Sequence, residues 1–327
     1  MGSLLKVNNL KTYFFTSEGI VRAVDGVNLE INKGETLGLI GESGSGKTVT
    51  ALSIMRLVPT PPGKIVEGSI IFHGEEILTK SKKEMEIIRG AGIAISFQDP
   101  MTFLNPVLKI GDQIAEAIKL HQDVDKKEAL DIAVECMKLV QIPSARERVN
   151  DYPHQFSGGM RQRILIAIAL SCGPDLLIVD EPTTALDIIT QGEIIQLLSD
   201  LKEKMDLSML LITHDLGTVC ELADKIAVMY AGNIVEYADV FSIFKRPKHP
   251  YTKALIESIP KLSTVSGGME RLTAIEGSVP DMINPPHGCR FHPRCPYKIL
   301  TCSTSTPKLV EIKNGHFVAC SYPIYGN

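Results

Sequence analysis

The chain has 327 residues, 44% of them hydrophobic and 22% charged, with a formal net charge of −4. Single cores rarely grow far beyond about 250–300 residues, so this length predicts one large domain with an appendage, and the charge offers no electrostatic footprint for nucleic acid. The start MGSLLKVNNLKTYFF lacks the pattern of a secretory signal, and apolar runs such as Leu176–Val179 are far shorter than the roughly 20 residues that span a bilayer, so membrane association is expected only through a partner.

From Leu4 to Ile40 the text reads as strands broken by turns: LLKVNNLKTYFF, then the alternating IVRAVDGVNLEI, then TLGLI after the turn at Asn32–Gly34. At Gly41 the last strand runs into a Gly- and Ser-rich turn, and VTALSIMRLV has helical spacing up to Pro59. Residues 65–78 read as a hairpin, Ile93–Gln98 as a short strand, and 110–142 as two amphipathic helices separated by HQDVDKK. The loop VNDYPHQFSGG then opens the helix MRQRILIAIALSC. Beyond it LLIVDEP, MLLITH and KIAVMYAGNIVE alternate with helical stretches, the rhythm of an α/β fold with a parallel sheet. After Lys245 the composition shifts to RPKHP, a short helix TKALIESI, Pro260, Gly267–Gly268, Pro280 and Pro285–Pro286, so a domain boundary is expected near Phe244.

GESGSGKT, Gly41–Thr48, fits G-x-x-x-x-G-K-[ST] without a mismatch and stands between a strand and a helix, as a phosphate-binding loop must. Gly41, Gly44 and Gly46, with Ser43 and Ser45, let backbone N–H groups curl around phosphates at a helix N-terminus. Lys47 reaches the β- and γ-phosphates in such a loop, and the Thr48 hydroxyl ligates Mg²⁺. Downstream, LLIVDE ends a buried strand in two carboxylates. Asp180 is expected to hold Mg²⁺ through water and Glu181 to polarise the attacking water. Alone, a strand ending in Asp-Glu is more often a solvated turn; the phosphate loop reverses that weighting.

FSGGMRQR, Phe156–Arg163, makes the pattern specific. An isolated SGG is an ordinary helix N-cap. Here it lies about 110 residues after the phosphate loop and before the strand ending in Asp180–Glu181. In that order the motifs resemble the ABC-transporter ATPases over residues 4–244. The resemblance implies a P-loop NTPase fold, a RecA-like core with an antiparallel β subdomain and a helical subdomain at about 99–165, followed by a small irregular C-terminal extension at 245–327. It implies further that Ser157, Gly158 and Gly159 bind the γ-phosphate of ATP held by a second subunit, so that ATP joins a head-to-tail dimer. The usual glutamine after SGG is Met160 here. Gln98 resembles the Q-loop residue that touches Mg²⁺ and water, Ala185–Asp187 the D-loop, and His214 the switch histidine that contacts the γ-phosphate and holds Glu181. Adenine is expected to stack on Tyr13 or Phe14. Neighbouring strand residues face opposite sides, so one of the two joins the core, and the spacing N-L-x-x-x-aromatic favours Phe14 for the stacking role. Met101, Phe103 and Leu104, between prolines after Gln98, read as exposed residues that receive transmembrane subunits; the alternative is that they cover the helical subdomain's own core.

SFQDPMTFLNP, FSGGMRQR, HPYTKALIESIP and CRFHPRCP together resemble the ATPase subunits of bacterial dipeptide and oligopeptide importers, nickel-uptake relatives included, over essentially the whole chain. The implied function is ATP hydrolysis that powers peptide import. The implied partners are two transmembrane permease subunits, a second ATPase subunit, either itself or a paralogue, and indirectly an extracytoplasmic peptide-binding protein. The implied location is the cytoplasmic face of the cell membrane, with no nucleic acid involved. The rival reading is a soluble ABC ATPase acting in iron–sulfur assembly or on DNA.

Four of the seven cysteines, Cys289, Cys295, Cys302 and Cys320, gather near the end with the spacing C-x5-C-x6-C-x17-C. Structural zinc usually shows C-x2-4-C pairs, disulfides are disfavoured in a reducing cytosol, and an iron–sulfur cluster needs four thiolates converging from loops. His287, His292 and His316 are competing ligands. Similarity to peptide-importer ATPases implies a 4Fe-4S cluster, with zinc or no cofactor as the alternatives, in a structural rather than redox-sensing role. Cys136, Cys172 and Cys220 read as small core residues in helical stretches.

Overall fold

The computed structural model describes residues 2–258 and 275–324; Pro260 and Gly267–Gly268 lie outside them. Among the described residues the strands are β1 (Ser3–Thr16), β2 (Gly19–Asn32), β3 (Thr36–Ile40), β4 (Gly63–Phe72), β5 (Glu75–Glu76), β6 (Ile93–Ser96), β7 (Leu176–Asp180), β8 (Ser208–Thr213), β9 (Lys225–Tyr230), β10 (Asn233–Asp239), β11 (Val310–Lys313) and β12 (His316–Val318). The chain divides into two compact units. One is chiefly Glu76–Ile212 with Ile31–Thr36; the other combines Leu5–Glu30 and Leu37–Glu75 with the chain from Thr213 onward.

In the first unit β6, β7 and β8 run parallel, with Ile93 opposite Leu176 and Asp180 opposite Ile212. Every residue of β7 and β8 is buried, which is why both read as unbroken apolar runs instead of alternating ones. The two expected amphipathic helices are Ile110–His121 and Lys126–Leu139, the second opened by an Asp125–Glu128 capping box. Ile110, Ile114 and Ile118 on the first, and Ala129, Ala133 and Met137 on the second, bury one stripe of each helix. One expectation fails: Leu104 is 2% exposed and belongs to the core, while Met101 and Phe103 stay 65% and 48% exposed.

In the second unit β1 pairs antiparallel with β4, from Leu5 opposite Phe72 to Phe14 opposite Gly63. β3 runs parallel to β9, and β9, β10, β12 and β11 continue antiparallel. The chain beyond Phe244 thus contributes β11 and β12 to a sheet that also carries β3, the strand leading into Gly41. Phe291, 1% exposed, joins Tyr230, Tyr251 and His249 in an aromatic cluster with ring centroids 5.2, 5.4 and 5.8 Å from its own. Beside it the fully buried Glu236 carboxylate accepts hydrogen bonds from the backbone N–H groups of Lys248 and His249 and from His316 Nε2, at 2.7, 2.8 and 2.7 Å. A buried carboxylate left without such donors costs several kcal/mol, so these bonds are what make the charge tolerable there. His316 is therefore committed to Glu236 rather than to the cysteines. Among the other three cysteines, Cys136 is buried as expected, but Cys172 is half-buried and Cys220 exposed, so neither is a core residue.

Burial lowers the His249 imidazole from 6.5 to about 4, against the opposing pull of Glu236. The unfolded chain binds this proton below about pH 6.5 and the folded chain only near pH 4. Stability due to neutral His249 is therefore complete above pH 6.5 and lost as pH falls toward 4, by about 3 kcal/mol in all. Urea midpoints measured across that window should fall for the wild type. In His249→Asn, which keeps a helix-capping side chain, the fall should be clearly shallower; an identical slope would remove His249 as its source.

Candidate nucleotide site

The phosphate loop is built in the second unit at the end of β3. At Gly41 a Cβ would lie 2.1 Å from the Met229 carbonyl oxygen, and at Gly46, where φ is 107°, 2.3 Å from that of Ala23. Only glycine allows the backbone so near its neighbours, and the loop's path follows from that. Lys47 Nζ donates to the carbonyls of Gly41 and Glu42 at 2.8 and 3.2 Å. Ser45 Oγ is buried without a hydrogen-bond partner in the protein. A lysine folded over a curled loop at the start of the helix Lys47–Ile54, with an orphaned hydroxyl beside it, suits a bound phosphate chain. Gly44 and Ser43 are exposed on the rim, as is Thr48.

Tyr13 and Phe14 are both half-buried on β1. The Tyr13 hydroxyl donates to Asp25 Oδ1 at 2.7 Å, and burial together with that carboxylate raises its pKa to about 12. Phe14 faces Gly63 so closely that a Cβ there would come within 2.9 Å of its Cε1. His214 is exposed and directly follows β8.

In the first unit Asp180 and Glu181 stand at the C-terminal end of β7, only 2% and 8% exposed. Glu181 has φ 50°, its N–H donates to the Ile212 carbonyl at 2.8 Å, and its carboxylate accepts from Thr184 Oγ1 at 3.3 Å. A non-glycine residue in the left-handed region costs on the order of 1 kcal/mol, and such strain concentrates at functional positions. Because β6 and β7 are parallel neighbours, Gln98, exposed two residues beyond β6, emerges at the same end as this pair. Ser157 caps the helix Gly158–Leu170, its Oγ accepting from Met160 N at 3.3 Å. Ser157 and Gly158 are exposed. At Gly159 a Cβ would sit 2.4 Å from Thr190 Cγ2, so any larger residue there requires the Thr190 side chain to shift. Asp187 caps the helix Ile188–Met205 and accepts from Thr190 N and Oγ1; the bonds from Thr190 hold its carboxyl below the usual range. Ile188 and Ile189 beside it are 86% and 78% exposed.

Cys289, Cys295, Cys302 and Cys320 all line one small cavity of about 10 Å³, with His249, Phe291, His292 and Tyr297. Four thiols around one space match an iron–sulfur cluster in kind and number. The arrangement does not reach ligation geometry: among the described residues no group of three or more His, Cys, Asp or Glu side chains could hold a metal ion. Burial raises the Cys289 and Cys295 thiols and brings Cys320 to about 11. His292 Nδ1 lies 2.9 Å from the Cys289 carbonyl, a backbone contact.

In the CRFHPRC stretch the two arginines, and not only the cysteines, make defined contacts. Arg290 pairs with Asp25, the partner of Tyr13, and bonds the Ala231 carbonyl at 2.5 Å. Arg294 reaches Glu42 of the phosphate loop at 3.0 and 3.2 Å, and Tyr251 Oη accepts the Glu42 N–H at 2.9 Å. Only the clustering of two arginines with two cysteines could have flagged them.

A phosphate loop, a strand ending in Asp-Glu and an SGG-capped helix define an ATP-hydrolysing ATP-binding cassette. A family profile described as "ABC transporter" matches residues 24–184, and one described as "Oligopeptide/dipeptide transporter, C-terminal region" matches 235–302. The chain is 51% identical to the oligopeptide transport ATP-binding protein AppD of Bacillus subtilis over 98% of its length and 97% of the relative's. It is 48% identical to the dipeptide transport ATP-binding protein DppD of the same organism, covering 98% and 95%. Among solved structures it resembles the ATP-binding cassette MJ0796 in a dimeric post-hydrolysis state bound to ADP and Pi, with TM-score 0.65 and 28% identity, covering 72% of this chain and 98% of that one. The chain belongs to the family of oligopeptide and dipeptide ABC-transporter ATP-binding proteins.

Proposed function

We propose that this protein is the ATP-hydrolysing subunit that powers import of dipeptides or oligopeptides across the cytoplasmic membrane. The single observation that carries this reading is the near-full-length similarity to peptide-transport ATP-binding proteins, which extends through the C-terminal region. The rival, a soluble ABC ATPase of iron–sulfur assembly or DNA metabolism, leaves that region without a purpose.

In this reading the backbone of Gly41–Thr48 and the Lys47 ammonium bind the triphosphate, and Thr48, Asp180 and Gln98 hold Mg²⁺. Glu181 polarises the attacking water, and His214 steadies it and the γ-phosphate. Adenine stacks on Tyr13 or Phe14, neighbours on β1 that are both half-buried, with the spacing favouring Phe14. Ser157, Gly158 and Gly159 complete the site of a second ATPase subunit, with Asp187 and the exposed Ile188 and Ile189 at the same contact. Exposed Met101 and Phe103 supply apolar area for the permease subunits, through which the protein sits at the cytoplasmic face of the membrane. No helix among the described residues is long and apolar enough to cross a membrane.

Glu181→Gln keeps the shape of the side chain but not its charge. Hydrolysis should fall at least a hundredfold while ATP drives a stable dimer, seen as a doubled mass in light scattering. Turnover within a few fold of wild type would remove Glu181 from its role. The finer reading of the extension is that Cys289, Cys295, Cys302 and Cys320 bind a 4Fe-4S cluster that staples it, with zinc as the alternative; their convergence on one cavity supports it. Anaerobically purified protein should then contain about four iron and four sulfide per chain, lost in Cys289→Ser; zinc, or no metal, in the wild type would contradict the cluster.

A further inference from the structure

A phosphate-binding loop is an anion cradle, and this one carries an acid. Glu42 is the residue directly after Gly41. An uncompensated carboxylate in that position opposes the phosphates the loop exists to bind, because like charges within several ångströms repel strongly where water is partly excluded. Lys47 Nζ donates to the Gly41 and Glu42 carbonyls.

The compensation comes from the other end of the chain. Arg294, whose side chain is 6% exposed, donates through one terminal nitrogen to both Glu42 carboxylate oxygens, at 3.0 and 3.2 Å. The same nitrogen lies 3.3 Å from Tyr230 Oη. Its Nε donates to the Glu276 carbonyl at 2.9 Å, and its other terminal nitrogen to those of Ile275 and Gly277 at 3.2 and 3.4 Å. These bonds fix the guanidinium, so its charge is held against Glu42 without further loss of side-chain freedom. Arg290, four residues before Arg294 within the span Cys289–Cys295, makes the parallel contact with Asp25, which also holds the Tyr13 hydroxyl.

We propose that Arg294 is a positioning residue for ATP: it neutralises Glu42 inside the phosphate loop, so that the C-terminal extension completes the electrostatics of nucleotide binding. The proposal rests on the assignment of Gly41–Thr48 as the ATP site. It assigns the extension a task at that site whether or not its cysteines bind a metal.

The test is Mg-ATP titration by calorimetry on the full-length wild type, Arg294→Ala, Glu42→Gln and the double variant, with a melting curve for each. Arg294→Ala should bind Mg-ATP roughly tenfold more weakly. It should lose less affinity for Mg-ADP, which carries less charge. The double variant, with no carboxylate left to neutralise, should regain affinity to within about threefold of wild type. Arg294→Lys, which keeps the charge, should stay near wild type; it carries the test together with Arg294→Gln if the alanine variant fails to melt cooperatively. Unchanged affinity in Arg294→Ala would overturn the proposal. So would a double variant as weak as the single one, because Arg294 would then act through packing alone. A wild type that binds no ATP would instead sink the ATP-site assignment itself.

Discussion

The interaction on which the second unit depends is the burial of Phe291 between Tyr230 and Tyr251. Removing a fully buried phenylalanine costs about 3–5 kcal/mol. In this cluster the three rings come from three parts of the chain: the end of β9, the helix Pro250–Glu257 and the cysteine-bearing segment. Tyr251 then spends its hydroxyl on the Glu42 N–H, and Arg294, three residues beyond Phe291, spends its charge on the Glu42 carboxylate. The residues packed around Phe291 thus make two direct contacts with the phosphate loop, both at Glu42.

That coupling explains why the extension could not have been read as a detached appendage. The composition shift after Lys245 is real, and the Pro- and Gly-rich text does form irregular backbone. What composition cannot carry is long-range pairing: β12 joins β10 through Glu236 opposite Val318, some 80 residues apart. The Glu236 carboxylate, a single acidic letter within an apolar strand pattern, proves to be the buried acceptor that ties β10 to His249 and His316.

The rest of the fold and site was legible in proportion to how local its physics is. Gly41 and Gly46 are legible because a turn this tight excludes every other residue, whereas Asp180–Glu181 gain their meaning from the phosphate loop upstream, since a strand ending in two charges is by itself an ordinary solvated turn. The pair of helices between Ile110 and Leu139 followed from their apolar period. By contrast Leu104 looked exposed between prolines and is buried, and Cys220 looked like a core residue on a short helix and is exposed, since which side of an element faces inward is decided by neighbours distant in sequence. Arg290 and Arg294 were hidden by the cysteines beside them.

The claim that the extension and the phosphate loop are one cooperative body is most directly tested by amide hydrogen exchange on the full chain, wild type against Phe291→Ala. The account predicts that loss of the ring accelerates exchange both in the cysteine-bearing segment and at Glu42–Lys47. Acceleration confined to the extension, with the phosphate loop as protected as in the wild type, would contradict it.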